Sequence, residues 1–270
     1  MLSFSGAAAS HPGLVREDNE DSGFAGPSLL AVADGVGGAA AGEVASATAV
    51  HVLSSAVLAA PRADPVQVLG EAVRLAQERV ALGVRQDDRR TGMGTTLTAV
   101  LGDGERFALL HLGDSRGYVL RAGSLTRVTR DHSFVQELLD AGRLEESARE
   151  HHPWRHVVTR VLAGDPRETG DLTWLPLRAG DRVLLCSDGL TDLVGEPDLE
   201  QLLLAHDDDD AAVDDLVAAA LAAGGRDNVT CLLATVVEGA TWRSGGRLVG
   251  AGRDPRLVVD AGAVRLPRSA

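Results

Sequence analysis

Four aspartates in this sequence stand where apolar runs end or begin. LLAVA at 29–33 leads into Asp34-Gly35, and VLLCSDG at 183–189 carries Asp188-Gly189. LLHLGDS at 109–115 closes on Asp114, and GGRDNVTCLLATV at 224–236 sets Asp227 just ahead of a further run. Short apolar runs bounded by such turn residues read as buried strands ending in tight loops. A single Asp-Gly pair is an ordinary turn signal. Its recurrence suggests chemistry: carboxylates brought from distant strand ends to one place make an oxygen-rich site suited to hard divalent cations. Residues 11–23, HPGLVREDNEDSG, add more carboxylates. By composition alone they form a solvated acidic loop. The other reading rests on Arg16, whose guanidinium fork, suited to bidentate phosphate binding, stands just ahead of Glu20 and Asp21.

These groups need a scaffold, and the chain between them supplies one. Residues 42–60 read as an amphipathic helix stopped by Pro61, and 65–85 as a second helix with apolar residues at three- and four-residue spacing. TTLTAVL at 95–101 is a strand, followed by a hairpin turn and by two strands on either side of Gly113-Asp114-Ser115. Residues 172–175 and 182–186 read as strands; 196–204 and 211–223 read as short helices joined by the aspartates at 207–210, which read as a solvated loop and helix start. Strand meanders flanked by helices imply a layered α+β fold. Residues 131–160 break the strand rhythm with a charged, helical pattern and read as an insertion over the sheet edge. The spacing of His132, His151, His152 and His156 fits no zinc pattern. His51 reads as a packed or surface residue of the first helix. Residues 240–270 show no sustained period and read as a mobile tail, with one short strand near 256–259.

Composition sets further bounds. The 44% hydrophobic and 24% charged residues suit a globular protein with a real core, and the 3% aromatic content leaves that core to Ala, Val and Leu. All 26 basic residues are arginine, and the net charge of −13 argues against a nucleic-acid-binding role. Cys186 and Cys231 fall inside apolar strand patterns, as buried free thiols of a reducing compartment would. The N-terminus lacks a signal-peptide pattern, and no apolar run approaches the about 18 residues of a membrane span. The expectation is a cytoplasmic protein with no membrane span.

Seven segments, VREDNED, LLAVADGVGGAAAGEVAS, GMGTTLTAVL, LGDSRGYVL, the stretch from DHSFVQELLDAGRL to HPWRHVVTRVL, LLCSDGLTDLV and GGRDNVT, occur in this order across residues 10–237. Together they resemble the metal-dependent, type 2C (PPM) family of protein serine/threonine phosphatases, in its bacterial form. The resemblance implies a four-layer αββα sandwich: two central antiparallel sheets flanked by antiparallel helices. It implies a catalytic domain over 1–238, with 131–160 as a flap beside the active site that tunes substrate choice, and a flexible tail over 239–270. Asp34 would bridge two Mn²⁺ or Mg²⁺ ions. Asp188 and Asp227 would complete the first site, and Glu20 with the Gly35 carbonyl would serve the second. Asp114 with Asp188 matches a third-metal site, Arg16 the residue that grips the substrate phosphate, and Asp21 an acidic position behind the ligands.

Phosphomonoester hydrolysis fits such residues on physical grounds. The substrate is dianionic and slow to react, so catalysis must neutralise charge and supply a nucleophile, and paired cations do both without a Ser or Cys nucleophile. One departure from the family pattern is Val36, which stands where many eukaryotic members carry a histidine proposed as general acid. The expected partners are phosphorylated proteins, a serine/threonine kinase and its substrates among them, and the expected state is a monomer. The alternative is a catalytically inactive regulatory or binding module of the same fold. The presence of every metal carboxylate favours the enzyme.

Overall fold

Runs such as LLAVA lack the polar alternation of a half-solvated strand because both faces of their sheet are covered. The computed structural model describes residues 1–37, 41–149, 151–239 and 246–263. One antiparallel sheet orders β1 (Leu2–His11), β12 (Val229–Glu238), β11 (Arg182–Cys186), β8 (Arg116–Arg121) and β9 (Ser124–Arg127). The other orders β10 (Asp171–Leu175), β7 (Phe107–Leu112), β6 (Leu97–Gly102), β3 (Leu29–Ala33), β2 (Ser22–Ala25) and β13 (Arg247–Gly250). A short pair, β4 (Gly35–Val36) with β5 (Gly94–Thr95), follows the end of β3.

Alternate residues of each strand feed different core layers. Leu30 and Val32 of β3 meet Val183 and Leu185 of β11 and Leu232 and Ala234 of β12 between the sheets. Leu29, Ala31 and Ala33 point the other way, against α1 (Gly42–Ala59) and α2 (Pro65–Gln86). On the opposite outside, Leu184, Cys186, Cys231 and Leu233 pack against α5 (Glu196–Ala205) and α6 (Asp209–Ala222). The result is the expected four-layer αββα sandwich. Two shorter helices, α3 (Phe134–Asp140) and α4 (Asp188–Thr191), lie in the loops that build the site.

Local signals agree with this layout. Asp64 caps α2 by accepting from the Val66 and Gln67 amides, ahead of Pro65 at the first helical position. Among the aspartates at 207–210, Asp208 caps α6, while Asp209 is drawn inward to accept from Arg182 and Thr235. That stretch is therefore not simply a solvated loop. β1 went unread because its Gly-Ala-Ser composition lacks the branched residues that mark strands.

Three expectations are corrected. Helix α1 is buried over most of its circumference rather than amphipathic, and by length and composition it would also pass for a membrane span. Its contacts with β3 and α2 make it a core helix. Among the described residues of 131–160 there are one short helix and one 3₁₀ turn, not a mainly helical insertion, because Gly142 and Pro153 interrupt the pattern. The segment after 239, expected as a flexible tail, packs against the domain over 246–259: β13 extends the second sheet beside β2, and Val258 and Val259 are buried. The strand lies at 247–250, whereas 255–257 is a 3₁₀ turn started by Asp254 and Pro255. Residues 240–245 and 264–270 of that expectation lie outside the described residues.

The docking of this segment explains His51. The ring is buried, its Nε2 donates to the Gly252 carbonyl at 2.8 Å, and burial lowers its pKa. One helical turn away in α1, Thr48 Oγ1 accepts the Val259 amide at 3.0 Å. Val259→Ala should destabilise the protein by about 1–3 kcal/mol. A urea unfolding midpoint equal to wild type would show the segment to be only loosely attached.

Candidate metal centre

A strand apolar on both faces can carry a charge only where it leaves the sandwich, which places the carboxylates at strand ends. Asp34 is the first residue beyond β3. Its amide donates to Thr96 Oγ1 at 2.9 Å, and its carbonyl accepts from the Thr96 amide and Thr95 Oγ1, both at 2.9 Å. Thr96 Oγ1 also bonds Ser115 Oγ at 2.8 Å, tying the Asp34 turn to the Asp114 corner between β7 and β8. Asp188 opens α4 directly after β11. The preceding Ser187 accepts the Thr230 amide at 3.0 Å and donates to Asp21 Oδ2 at 2.7 Å.

The acidic loop is held by Asn228. Its Oδ1 accepts the Glu20 amide at 2.7 Å, and its Nδ2 donates to the Pro12 and Asp18 carbonyls, each at 2.9 Å. Its own amide donates to Asp227 Oδ1 at 2.9 Å. Gly35 lies so close to neighbouring backbone that a Cβ would fall 2.6 Å from the Gly42 carbonyl oxygen and 2.8 Å from that of Glu20. Only glycine fits there.

The seven residues singled out from the sequence, Arg16, Glu20, Asp34, Gly35, Asp114, Asp188 and Asp227, all line one cleft of about 730 Å³. Asp21 lies behind it, fully buried, with Oδ1 lacking a hydrogen-bond partner. Arg16 Nη2 donates to Asp227 Oδ2 at 2.7 Å, and this bond raises the guanidinium pKa. Cys186 is excluded as a nucleophile: burial pushes its thiol up to about 12, and its sulfur lies 3.8 Å from the Arg116 carbonyl oxygen.

Crowding dominates the electrostatics. Burial raises Asp34 well above the usual carboxylate range, and the charges of Asp21, Asp188 and Asp114 raise it further. Burial does the same to Asp188, with Asp114, Asp192 and Asp227 adding to it, and Asp34 and Asp188 share a hydrogen bond. Burial lifts Asp114 to about 7, and Asp21 to about 6 despite the Ser187 hydrogen bond. Glu20 is raised by burial, then by Glu43. Among the described residues, none of Asp34, Asp114 and Asp188 has an arginine ion pair. An all-oxygen donor set, recessed, with an arginine partner on Asp227 and none on Asp34, Asp114 or Asp188 among the described residues, fits Mn²⁺ or Mg²⁺.

Several residues of the site escaped the sequence reading. Asp192, one helical turn after Asp188, lines the same cleft, and that spacing was the available signal. His156 Nδ1 comes within 3.2 Å of its carboxylate, and His156, Asp188 and Asp192 offer ligand atoms within 4.8 Å of one another. Asp131, at the start of the flap, accepts from Arg116 at 2.8 Å, from Arg127, and faces Arg149 at 3.6 Å. Nothing in the local sequence marks that convergence.

Residues 5–242 match the family model described as Protein phosphatase 2C. The chain is 44% identical over 232 residues to the serine/threonine protein phosphatase PstP of Mycobacterium tuberculosis, covering 86% of this chain and 45% of that protein. It thus spans about half the length of this relative. It is 34% identical over 230 residues to the serine/threonine phosphatase Stp of Listeria monocytogenes, covering 82% of this chain and 91% of that one. The crystal structure of the PstP catalytic domain in complex with two manganese ions superposes with a TM-score of 0.82 at 43% identity, over 88% of this chain and 100% of that one.

The raised carboxyls make metal-free stability depend on pH. Folded Asp21 and Asp114 bind protons more tightly than they do unfolded. Their contribution is therefore full below an unfolded pKa of about 3.9 and is lost as pH rises through about 6 and about 7. In EDTA, the thermal midpoint should fall between about pH 4 and about pH 7, and Mn²⁺ should reduce the fall. A metal-independent profile by scanning fluorimetry would contradict this account of the cleft.

Proposed function

The chain belongs to the protein phosphatase 2C family, and on that premise we propose that it hydrolyses phosphoserine and phosphothreonine in proteins in a metal-dependent reaction. The observation that carries this reading is that Glu20, Asp34, Asp114, Asp188 and Asp227 converge with the Arg16 guanidinium in a single cleft. On this reading Asp34, Asp188, Asp227, Glu20 and the Gly35 carbonyl would hold two Mn²⁺ or Mg²⁺ ions, and Asp114 with Asp188 would offer a further position. The PstP catalytic domain, which this chain resembles, holds two manganese ions.

Bound divalent cations would neutralise charge on the phosphoryl group and lower the pKa of a water to about 7. The chain's own contribution is position. Arg16 stands at the cleft with a planar fork that matches two phosphoryl oxygens and holds the dianion against the carboxylates. Thr96, Ser115, Ser187 and Asn228 fix the ligand-bearing backbones through neutral hydrogen bonds, so geometry is set before substrate arrives. The seryl or threonyl alkoxide must leave with a proton that Val36 cannot give. The intact carboxylates leave the inactive-module alternative without support. The names of the relatives, serine/threonine phosphatases, support a role opposing a serine/threonine kinase, and the two free, buried thiols suit a cytoplasmic setting.

The direct test is hydrolysis of p-nitrophenyl phosphate and a phosphothreonine peptide in Mn²⁺, Mg²⁺ or EDTA. Activity should require the metal and vanish in Asp227→Ala. A folded wild-type protein inactive with every metal would overturn the reading. Arg16→Ala should raise KM by roughly 10- to 100-fold, the worth of one or two charge-assisted hydrogen bonds, with a smaller change in kcat. An unchanged KM would remove Arg16 from phosphate binding.

A further inference from the structure

We propose that the cleft selects phosphorylated segments with anionic residues beside the phosphorylated one, through Arg226 on the loop before β12 and Arg155 on the flap. The inference rests on the phosphatase reading and concerns which phosphoproteins the same site accepts.

Five arginines line the cleft, and three are already engaged. Arg16 pairs with Asp227, Arg116 with Asp131, and Arg149 with both Asp131 and Glu146. Arg155 and Arg226 are exposed, and neither makes an ion pair among the described residues. Asp192 feels the charge of Arg155, but its close partner is His156.

The backbone under each of these two arginines is pinned. Arg226 follows Gly224-Gly225, where the Gly225 carbonyl accepts the Leu14 amide at 2.7 Å. Gly225 has φ +51°, and a Cβ there would lie 2.9 Å from Leu14 Cγ, so the loop is locked against the segment that carries Arg16. On the flap, the Arg155 amide donates to the His152 carbonyl at 3.1 Å, and the Val157 carbonyl accepts the Phe134 amide at 2.8 Å. Ser133 and Val158 add an isolated bridge. Both arginines thus project from pinned backbone, which limits the backbone freedom lost on binding.

The charge balance gives them a task. A protein of net charge −13 repels the anionic segments it would dephosphorylate. Once Arg16 holds the phosphate, Arg155 and Arg226 are the remaining uncommitted cations of the cleft lining. Guanidinium forks take carboxylate and phosphate alike, so either acidic side chains or a second phosphate group would satisfy them.

The test measures kcat/KM on phosphothreonine peptides flanked by Asp and Glu, by Ala, or by a second phosphothreonine. The enzymes are wild type, Arg155→Ser, Arg226→Ser and the double variant, with p-nitrophenyl phosphate as the flank-free control. Wild type should favour anionic flanks by roughly fivefold to tenfold, mainly through KM and less so at high salt. Each single variant should lose part of the preference and the double variant all of it, with the control reaction unchanged. A doubly phosphorylated peptide outpacing the acidic one identifies phosphate as the preferred flank, the reverse order identifies carboxylates, and equal rates show that either anion serves. No preference in an active wild type overturns the inference alone, as does a preference that survives the double substitution. Equal loss on the control substrate in the double variant also overturns it, by showing a structural role. Absence of all hydrolysis overturns the phosphatase reading with it.

Discussion

Like charge held at close range in a recess is the constraint on which this structure turns. Asp34, Asp114 and Asp188 meet where burial and mutual repulsion both oppose ionisation. Left to itself, such a cluster would spread or take up protons. The sandwich prevents spreading because each carboxylate is the terminus of a strand whose remainder is locked between core layers. Moving Asp34 outward would disturb β3, which is buried along its whole length. The fold therefore maintains an electrostatic tension that divalent cations are suited to relieve, and this makes the cluster a functional candidate rather than a structural one.

The supports of the cluster are instructive by their chemistry. Thr96, Ser115, Ser187 and Asn228 fix the ligand-bearing turns, and each does so with a neutral group. They set geometry without supplying the positive charge that the carboxylates lack. Asp131, a short distance along the same cleft, is treated in the opposite way. It too is buried, yet Arg116, Arg127 and Arg149 surround it and satisfy it from within the protein. A carboxylate compensated in this manner anchors the flap to β8 and β9. Asp34, Asp114 and Asp188 have no such arginine partner among the described residues. Residue type does not distinguish the two; the partners do.

The flap adds to this picture. It is tethered at its base by Asp131 and by the Ser133–Val158 bridge, while Arg155 and His156 reach the cleft. A segment so fastened can present groups to the cleft while the hydrogen bonds of Thr96, Ser115, Ser187 and Asn228 that hold the carboxylate turns lie elsewhere.

Much of this was legible in the chain itself. Apolar runs ending in aspartate marked the strands and the carboxylates together, because a doubly covered strand must be apolar throughout and can bear charge only at its tip. Pro65 marked the start of α2, since the fixed backbone angle of proline acts at its own position. Where the signal was not local, it failed. β1 is built of Gly, Ala and Ser, and its identity as a strand comes from pairing with β12, more than two hundred residues away. The segment at 246–259 has no period of its own because its order comes from β2 and from Thr48 and His51 on α1. Asp192, Asn228 and the arginines around Asp131 acquired roles only from neighbours that chain closure brought to them. Sequence alone determined which residues could carry charge and where strands had to end, because burial and turn geometry act locally. Tertiary structure decided which carboxylates lack protein cations and which arginines stay free, because a charge's partner is a matter of distance in space.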